Sequence, residues 1–142
     1  MLGFWKWRVS MLSSLVLIAL ASFEAGAGGA GETAAVREVM GFDSVSFGTS
    51  GELVITQGER EALEIVARAR DVQSIVTEVR GGTLYIGREG TGFTLPFRPP
   101  VFRLTMKNVA GLETHSSGKI VAKEIRTSSL RIRISSSGGI SI

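Results

Sequence analysis

The sequence predicts an all-β protein: a β-solenoid, or right-handed β-helix-like stack of short strands with Ser/Gly corners, preceded by N-terminal hairpins. Three observations predict it. First, the last thirty residues repeat themselves with a shift of 20, so that Leu112 to Ala122 matches Ile132 to Ile142. Ser116, Ser117 and Gly118 recur as Ser136, Ser137 and Gly138, and apolar Leu112, Ile120 and Ala122 recur as Ile132, Ile140 and Ile142. Two short strands around a small-residue corner make one coil, which cannot bury its apolar face without a neighbour. Second, apolar residues alternate with polar ones from Val36 onward, the period of a strand. Third, no segment beyond the N-terminal stretch carries the pattern of a long amphipathic helix.

Taken in order, the chain of 142 residues allows one domain. Residues 1–27 read as a signal peptide and leader. Lys6 and Arg8 form a basic start, Met11 to Leu20 is an almost unbroken apolar run, and small residues follow. Ala21 and Ala27 close the two small-x-small patterns that a signal peptidase could cut. The run is about ten residues, against roughly 20 for a spanning helix. No stable transmembrane span is therefore expected after cleavage. The alternative is an uncleaved N-terminal membrane anchor extended by Phe4, Trp5 and Trp7. Without Lys6 and Arg8 the 16 basic residues become 14, against 13 acidic, so the exported chain is near neutral. The high precursor pI is then no sign of nucleic-acid binding. The chain has no cysteine, which removes disulfides, thiolate chemistry and a lipid-modified N-terminus together.

Residues 28–35 read as a flexible linker and 36–142 as the β domain. Phe42 to Phe47 has apolar ends and a polar middle, and Gly48 to Gly51 marks a turn. Leu53 and Ile55 alternate with polar neighbours, as do Leu63, Ile65 and Ala67. Residues 71–80 are ambiguous, because Val72, Ile75, Val76 and Val79 lie at helical spacing; a turn of helix before a strand would satisfy them. Gly81-Gly82 makes a tight hairpin into Thr83 to Gly87. The segment from Gly90 to Pro100 holds all three prolines and reads as a loop or edge, with Phe93, Leu95 and Phe97 laid across the open end of the core. Phe102, Leu104 and Met106 face inward from the next strand. Leu130, Ile132 and Ile134 are expected to do the same from the last coil, with Arg131 and Arg133 facing water.

Phe42-Asp43-Ser44-Val45, Gly51 to Gly58, Gly82 to Ile86 and the Ser-Ser-Gly corners resemble one bacterial family, the putative auto-transporter adhesin, or head GIN, domain of unknown function. The resemblance covers roughly residues 40–142. It implies an exported β-solenoid with an adhesin-like role and offers no catalytic residues to carry over. Members of that family continue through further cornered coils, whereas this sequence stops at Ile142; a truncated domain or an edge paired with another subunit is expected over N-terminal hairpins folding across the edge.

Candidate chemistry is sparse. His115, the only histidine, lies two residues from Glu113 and beside Ser116; on a strand both would share the outer face, and a solvated histidine is the expected reading. A triad needs an orienting carboxylate and an oxyanion hole in fixed geometry. The acidic residues are scattered singly, so neither a metal nor another cofactor is expected. Ser116, Ser117, Ser136 and Ser137 could offer hydroxyls to a glycan or peptide. The competing reading has small residues filling sharp bends, with Gly118 and Gly138 at positive φ and the serines bonding to nearby backbone. Arg131 with Arg133, and Arg103 with Lys107, make basic outer faces that lack the stacking aromatics of nucleic-acid sites.

The expected function is an exported, non-enzymatic interaction module, adhesin-like, in the periplasm, outer envelope or extracellular space. Its partners would be a glycan or a cell-surface protein, with self-association through the C-terminal edge strand and no nucleic acid. Two alternatives remain open: a carbohydrate-active β-helix enzyme and a self-assembling structural envelope protein.

Overall fold

The structure is a computed structural model that describes residues 31–90 and 98–142. The expected signal peptide and leader, the start of the expected linker, and Phe93, Leu95 and Phe97 lie outside the described residues. The chain forms β1 (Glu32–Arg37), β2 (Ser44–Phe47), β3 (Glu52–Gln57), β4 (Ala62–Arg68), a short α1 (Ala69–Ser74), β5 (Ile75–Arg80) and β6 (Thr83–Arg88). It continues through β7 (Val101–Met106), β8 (Gly111–Thr114), β9 (Lys119–Lys123), β10 (Arg131–Ile134) and β11 (Gly139–Ser141). The ambiguous stretch resolves into one turn and a half of helix followed by a strand. β1 takes in Glu32 to Ala35, which composition had left to the linker. Among the described residues, no helix is long and apolar enough to cross a membrane.

The protein is all-β, but the expected solenoid is not formed. In a solenoid each coil adds a strand beside the one before, so strand order follows chain order. Here the strands make two mixed sheets, ordered β1-β4-β7-β3-β9-β11 and β10-β8-β2-β6-β5. The early strands β2 and β3 sit in the interior, each between two later strands. Antiparallel pairs β1/β4, β4/β7 and β5/β6 then continue the sheets on one side. The repeat itself is real in a narrower sense. β10 lies parallel to β8 and β11 parallel to β9, each displaced by 20 residues (Ile132 against Leu112, Ile140 against Ile120).

The alternation read from the sequence decides what lies between the sheets. Leu53, Ile55, Leu63, Ile65, Phe102, Leu104, Met106 and Ile120 from the larger sheet meet Val45, Phe47, Leu84, Ile86 and Leu112 from the smaller, all essentially inaccessible to solvent. Phe47 and Phe102 meet edge to face at 5.2 Å, tying the layers at their centre. The exceptions are Ile132 and Ile134, 46% and 47% exposed, although both were expected to pack inward. They point to the core side, but β10 is the outermost strand of its sheet among the described residues, and none of these adds a strand beyond it to cover them.

The Ser-Ser-Gly corners also differ from expectation in their physics. Gly118 and Gly138 do not have positive φ. They are glycine because the corners stack: a Cβ on Gly118 would overlap the Thr49 carbonyl oxygen and the Phe47 ring, and one on Gly138 the carbonyl oxygens of Gly118 and Ser116. Space, not backbone conformation, demands them. Gly81 and Gly82 are the opposite case, at φ 55° and 79° in the two-residue turn joining β5 to β6.

Candidate functional site

Strand register lays out the outer face of the five-stranded sheet. One row across it carries Arg131, Gly111, Ser44, Thr83 and Arg80; the next carries Arg133, Glu113, Ser46, Tyr85 and Glu78. Their partners in alternation (Ile132, Leu112, Val45, Leu84) turn inward, so the period of two that builds the core also exposes this polar grid. Chain-distant residues become neighbours here, because β2, from the beginning of the domain, lies between β8 and β6.

His115 follows β8 and organises one end of the grid. Its Nδ1 lies 3.1 Å from Ser135 Oγ and its Nε2 3.0 Å from Ser46 Oγ, with Glu113 Oε2 3.4 Å from Nε2. The ring is exposed, as the sequence predicts, yet it spans three strands, while Ser46 beneath it is only 4% accessible. Arg133 Nη1 reaches Glu113 Oε1 at 3.6 Å. A catalytic triad holds its hydroxyl and its carboxylate on opposite ring nitrogens. Here Nε2 is shared between Ser46 and Glu113, and the Ser135 hydroxyl also donates to the Thr114 carbonyl at 3.3 Å. The arrangement ties β2, β8 and β10 together.

At the other end of β8 and β10, Gly111 leaves the row floor without a side chain. A cleft of about 150 Å³ opens there, lined by Ser44, Thr83, Gly111, Glu113, Arg131 and Arg133. Beyond Arg131 lies a second recess, of about 580 Å³, which reaches Asp43 and Ser129 and shares Ser44 and Arg131 with the first. The Ser44 hydroxyl donates to Asp43 Oδ1 at 2.8 Å. Tyr85, 37% exposed, lies two strands away from Glu113 with the Arg80 guanidinium 4.4 Å over its ring.

The corner serines divide. Ser116 Oγ donates to the Thr49 carbonyl at 2.6 Å, Ser136 Oγ donates to the Ser116 carbonyl, and each hydroxyl accepts from the glycine amide two residues on. Ser117 and Ser137 are exposed. All four lie past the ends of β8 and β10 remote from Arg131, so the structure does not bring them to the arginine cleft. Arg103 is paired with Glu64 at 2.9 Å on the larger sheet, away from Arg131 and Arg133. Among the described residues, no group of three or more His, Asp or Glu side chains is placed to hold a metal ion.

A wider open cleft, about 800 Å³, lies where the parallel strands β3, β7 and β9 end, lined by Gln57, Glu59, Lys107, Asn108, Glu124 and Arg126. Its clasp is Gln57, whose Nε2 donates to the Lys107 and Arg126 carbonyls while its Oε1 accepts from the Arg126 amide. These bonds join loops, and the rim charges balance. The outer face of the smaller sheet concentrates more directed polar groups. Of the residues on this face, sequence reasoning singled out Arg131 and Arg133 as candidates and weighed Glu113 and His115 as a solvated pair, but did not single out Ser44, Ser46, Thr83 or Tyr85. The polar middle of Phe42 to Phe47 was the available signal, and strand order, which gives it meaning, was not readable.

The sequence matches the family described as "Putative auto-transporter adhesin, head GIN domain" over residues 41–142. No curated protein matches. Among solved structures, a putative adhesin from Bacteroides fragilis NCTC 9343 is similar at 19% identity and a TM-score of 0.73, covering 79% of this chain and 53% of that one. A putative adhesin from Parabacteroides merdae ATCC 43184 shares 14% identity with a TM-score of 0.65, over 75% of this chain and 45% of its own. A putative lipid binding protein from Parabacteroides distasonis ATCC 8503 shares 23% identity with a TM-score of 0.55, over 67% and 42%. At these identities the likeness is one of fold. The chain spans about half the length of the structures it matches.

Proposed function

The chain belongs to the putative auto-transporter adhesin, head GIN domain family, and from that premise we propose that it is an exported, non-enzymatic interaction module whose binding surface is the outer face of the five-stranded sheet. The observation that carries this reading is the in-register polar grid, five strands wide, in which hydroxyls, carboxylates and guanidinium groups line the outer face at graded depth, from buried Ser46 to exposed Arg131 and Arg133, over a packed apolar core. Such a face suits an extended ligand: with strands about 4.8 Å apart, the stretch from Arg133 to Tyr85 is about 14 Å. Non-catalytic action is supported by the His115 ring, whose nitrogens serve as a clasp between strands. Export is supported by the basic start and the apolar run of Met11 to Leu20. N-terminal sequencing of the protein recovered from the envelope or medium is expected to begin after Ala21 or Ala27; retention of Met1 at the membrane would favour the anchor instead.

The direct test is adherence of the purified chain to whole cells, read by flow cytometry. The Glu113→Ala/Tyr85→Ala variant is expected to lose most of the signal, and Arg103→Ala, on the other sheet, to keep it. Equal loss in both, or in neither, would move the binding surface off this face. A second reading, self-association, is favoured by the half-exposed Ile132 and Ile134 beside the unpaired edge of β10. Light scattering after size exclusion over a tenfold concentration range tests it. A discrete oligomer that the Ile132→Thr/Ile134→Thr variant abolishes supports the edge as an interface.

A further inference from the structure

We propose that the cleft over Gly111 is a subsite for an acidic saccharide, with Arg131 receiving the carboxylate of a uronic-acid-type sugar. The inference rests on the reading of this face as the binding surface and names its ligand class. Two arginines stand side by side on β10, but they are not equivalent. Arg133 is opposite Glu113 in the ladder and paired with it, whereas Arg131 is opposite Gly111 and has no ion-pair partner among the described residues. Gly111 therefore does two things. It leaves a guanidinium fork uncompensated, and it leaves the floor of the cleft open down to Ser44, whose Oγ would lie only 3.0 Å from a Cβ at that position.

The remaining lining supplies what a sugar ring needs besides its acid group. The Ser44 hydroxyl gives its proton to Asp43 and so presents lone pairs to a sugar hydroxyl. Thr83 can donate or accept, and the Glu113 carboxylate accepts. The cleft, about 150 Å³, is the size of one pyranose ring. The neighbouring recess past Arg131 lets a chain continue in the direction of Ser129. A planar, bidentate guanidinium matches a carboxylate in both geometry and charge. A polyphosphate fits less well, since its charges sit on adjacent groups against a groove bordered by Asp43 and Glu113, whereas the carboxylates of a uronic acid chain are a whole sugar ring apart. A neutral glycan would leave Arg131 without a counter-charge.

The test is isothermal titration of the purified chain with three probes: tetragalacturonate, its fully methyl-esterified form, and a ten-residue oligothymidylate. Saturable binding of the acid is expected, weakened about tenfold or more by esterification, with the oligothymidylate weaker than the acid. Arg131→Ala should weaken acid binding by about tenfold while leaving the unfolding midpoint unchanged, because the side chain is exposed. Ser44→Ala, with a smaller loss, checks the hydroxyl without touching charge. Absence of saturable tetragalacturonate binding, equal affinity for acid and ester, or indifference to Arg131→Ala overturns the proposal. Equal or tighter binding of the oligothymidylate overturns it in favour of general polyanion attraction. If Arg131→Ala still adheres to cells while Glu113→Ala/Tyr85→Ala does not, this inference fails and the adhesive reading stands. If both variants adhere, both readings fail.

Discussion

Thr114 places a hydroxyl where its in-register neighbours in the smaller sheet place Phe47, Ile86 and Ile134, and its Oγ1 is buried with no hydrogen-bond partner among the described residues. An unsatisfied buried hydroxyl costs about 1–3 kcal/mol. Thr114→Val keeps the shape and removes the polar atom, so urea denaturation should show it equal to the parent or more stable, by about 1 kcal/mol. Gly118 is the converse. Its Cβ position is occupied by backbone and by an aromatic ring that cannot swing aside, so Gly118→Ala should destabilise by about 1–3 kcal/mol. Gly139→Ala, with nothing within 4 Å of its Cβ position, is the control and should fall within about 0.5 kcal/mol of the parent. A similar loss in both would mean that chain flexibility, not space, sets the cost.

Elements here are held by side chains reaching across strands as well as by ladders. Arg37 leaves β1 and donates through Nη2 to the Val72 and Ile75 carbonyls, at 3.2 and 3.1 Å, and through Nη1 to Thr77 Oγ1. These contacts pin the end of α1 and the start of β5, the segment whose sequence pattern left helix and strand in conflict. Burial lowers the Arg37 pKa from its ordinary value. The folded-state shift is downward for a base, so the cost of burying the charge develops as pH falls through the strongly alkaline range and is fully present at neutrality, where no further change with pH is expected from this group. Arg37→Ala removes charge-assisted bonds worth about 1.5–3 kcal/mol in typical cases. The expected outcome is faster amide exchange over α1 and β5 with β8 and β9 unaffected. His115 works the same way at the opposite end of the smaller sheet, as the clasp from β8 to Ser46 and Ser135. His115→Ala should raise exchange over Arg131–Ile134 without changing the core, and uniform protection across β10 would show the ladder alone suffices.

At the scale of the molecule, the two sheets share one apolar layer but leave their edges in different states. Helix α1 packs beside β4, β1 and β5 at one end, and paired Arg68 and Asp71 (2.8 Å) sit under it. At the other end β10 and β11 are outermost in both sheets, with Ile132 and Ile134 half uncovered. The proposed binding surface and the open edge therefore meet at β10, which carries Arg131 outward and Ile132 toward the core. Association through that edge and ligand capture at Arg131 should interfere with one another. Saturating tetragalacturonate is expected to shift the oligomer population seen by light scattering, and an unchanged distribution would show that the two surfaces are independent.

By itself the sequence determined the all-β character, the inward and outward parity of nearly every strand, the Gly81-Gly82 hairpin and the 20-residue pairing of the last strands. These follow from neighbours two residues apart, or from one repeat laid on another, and need no long-range information. It also marked Glu113, His115, Arg131 and Arg133 as exposed on one kind of face. What it could not determine was which strand lies beside which. A regular repeat at one end suggested coils added in sequence, whereas burying Phe47 against Phe102 and covering β2 and β3 on both sides produced two mixed sheets instead. Ser44, Ser46 and Thr83 join Arg131 and His115 only through that order. Parity is a local property of the chain, but adjacency is settled by which edges and apolar faces bury one another, and that is decided only when the whole domain packs.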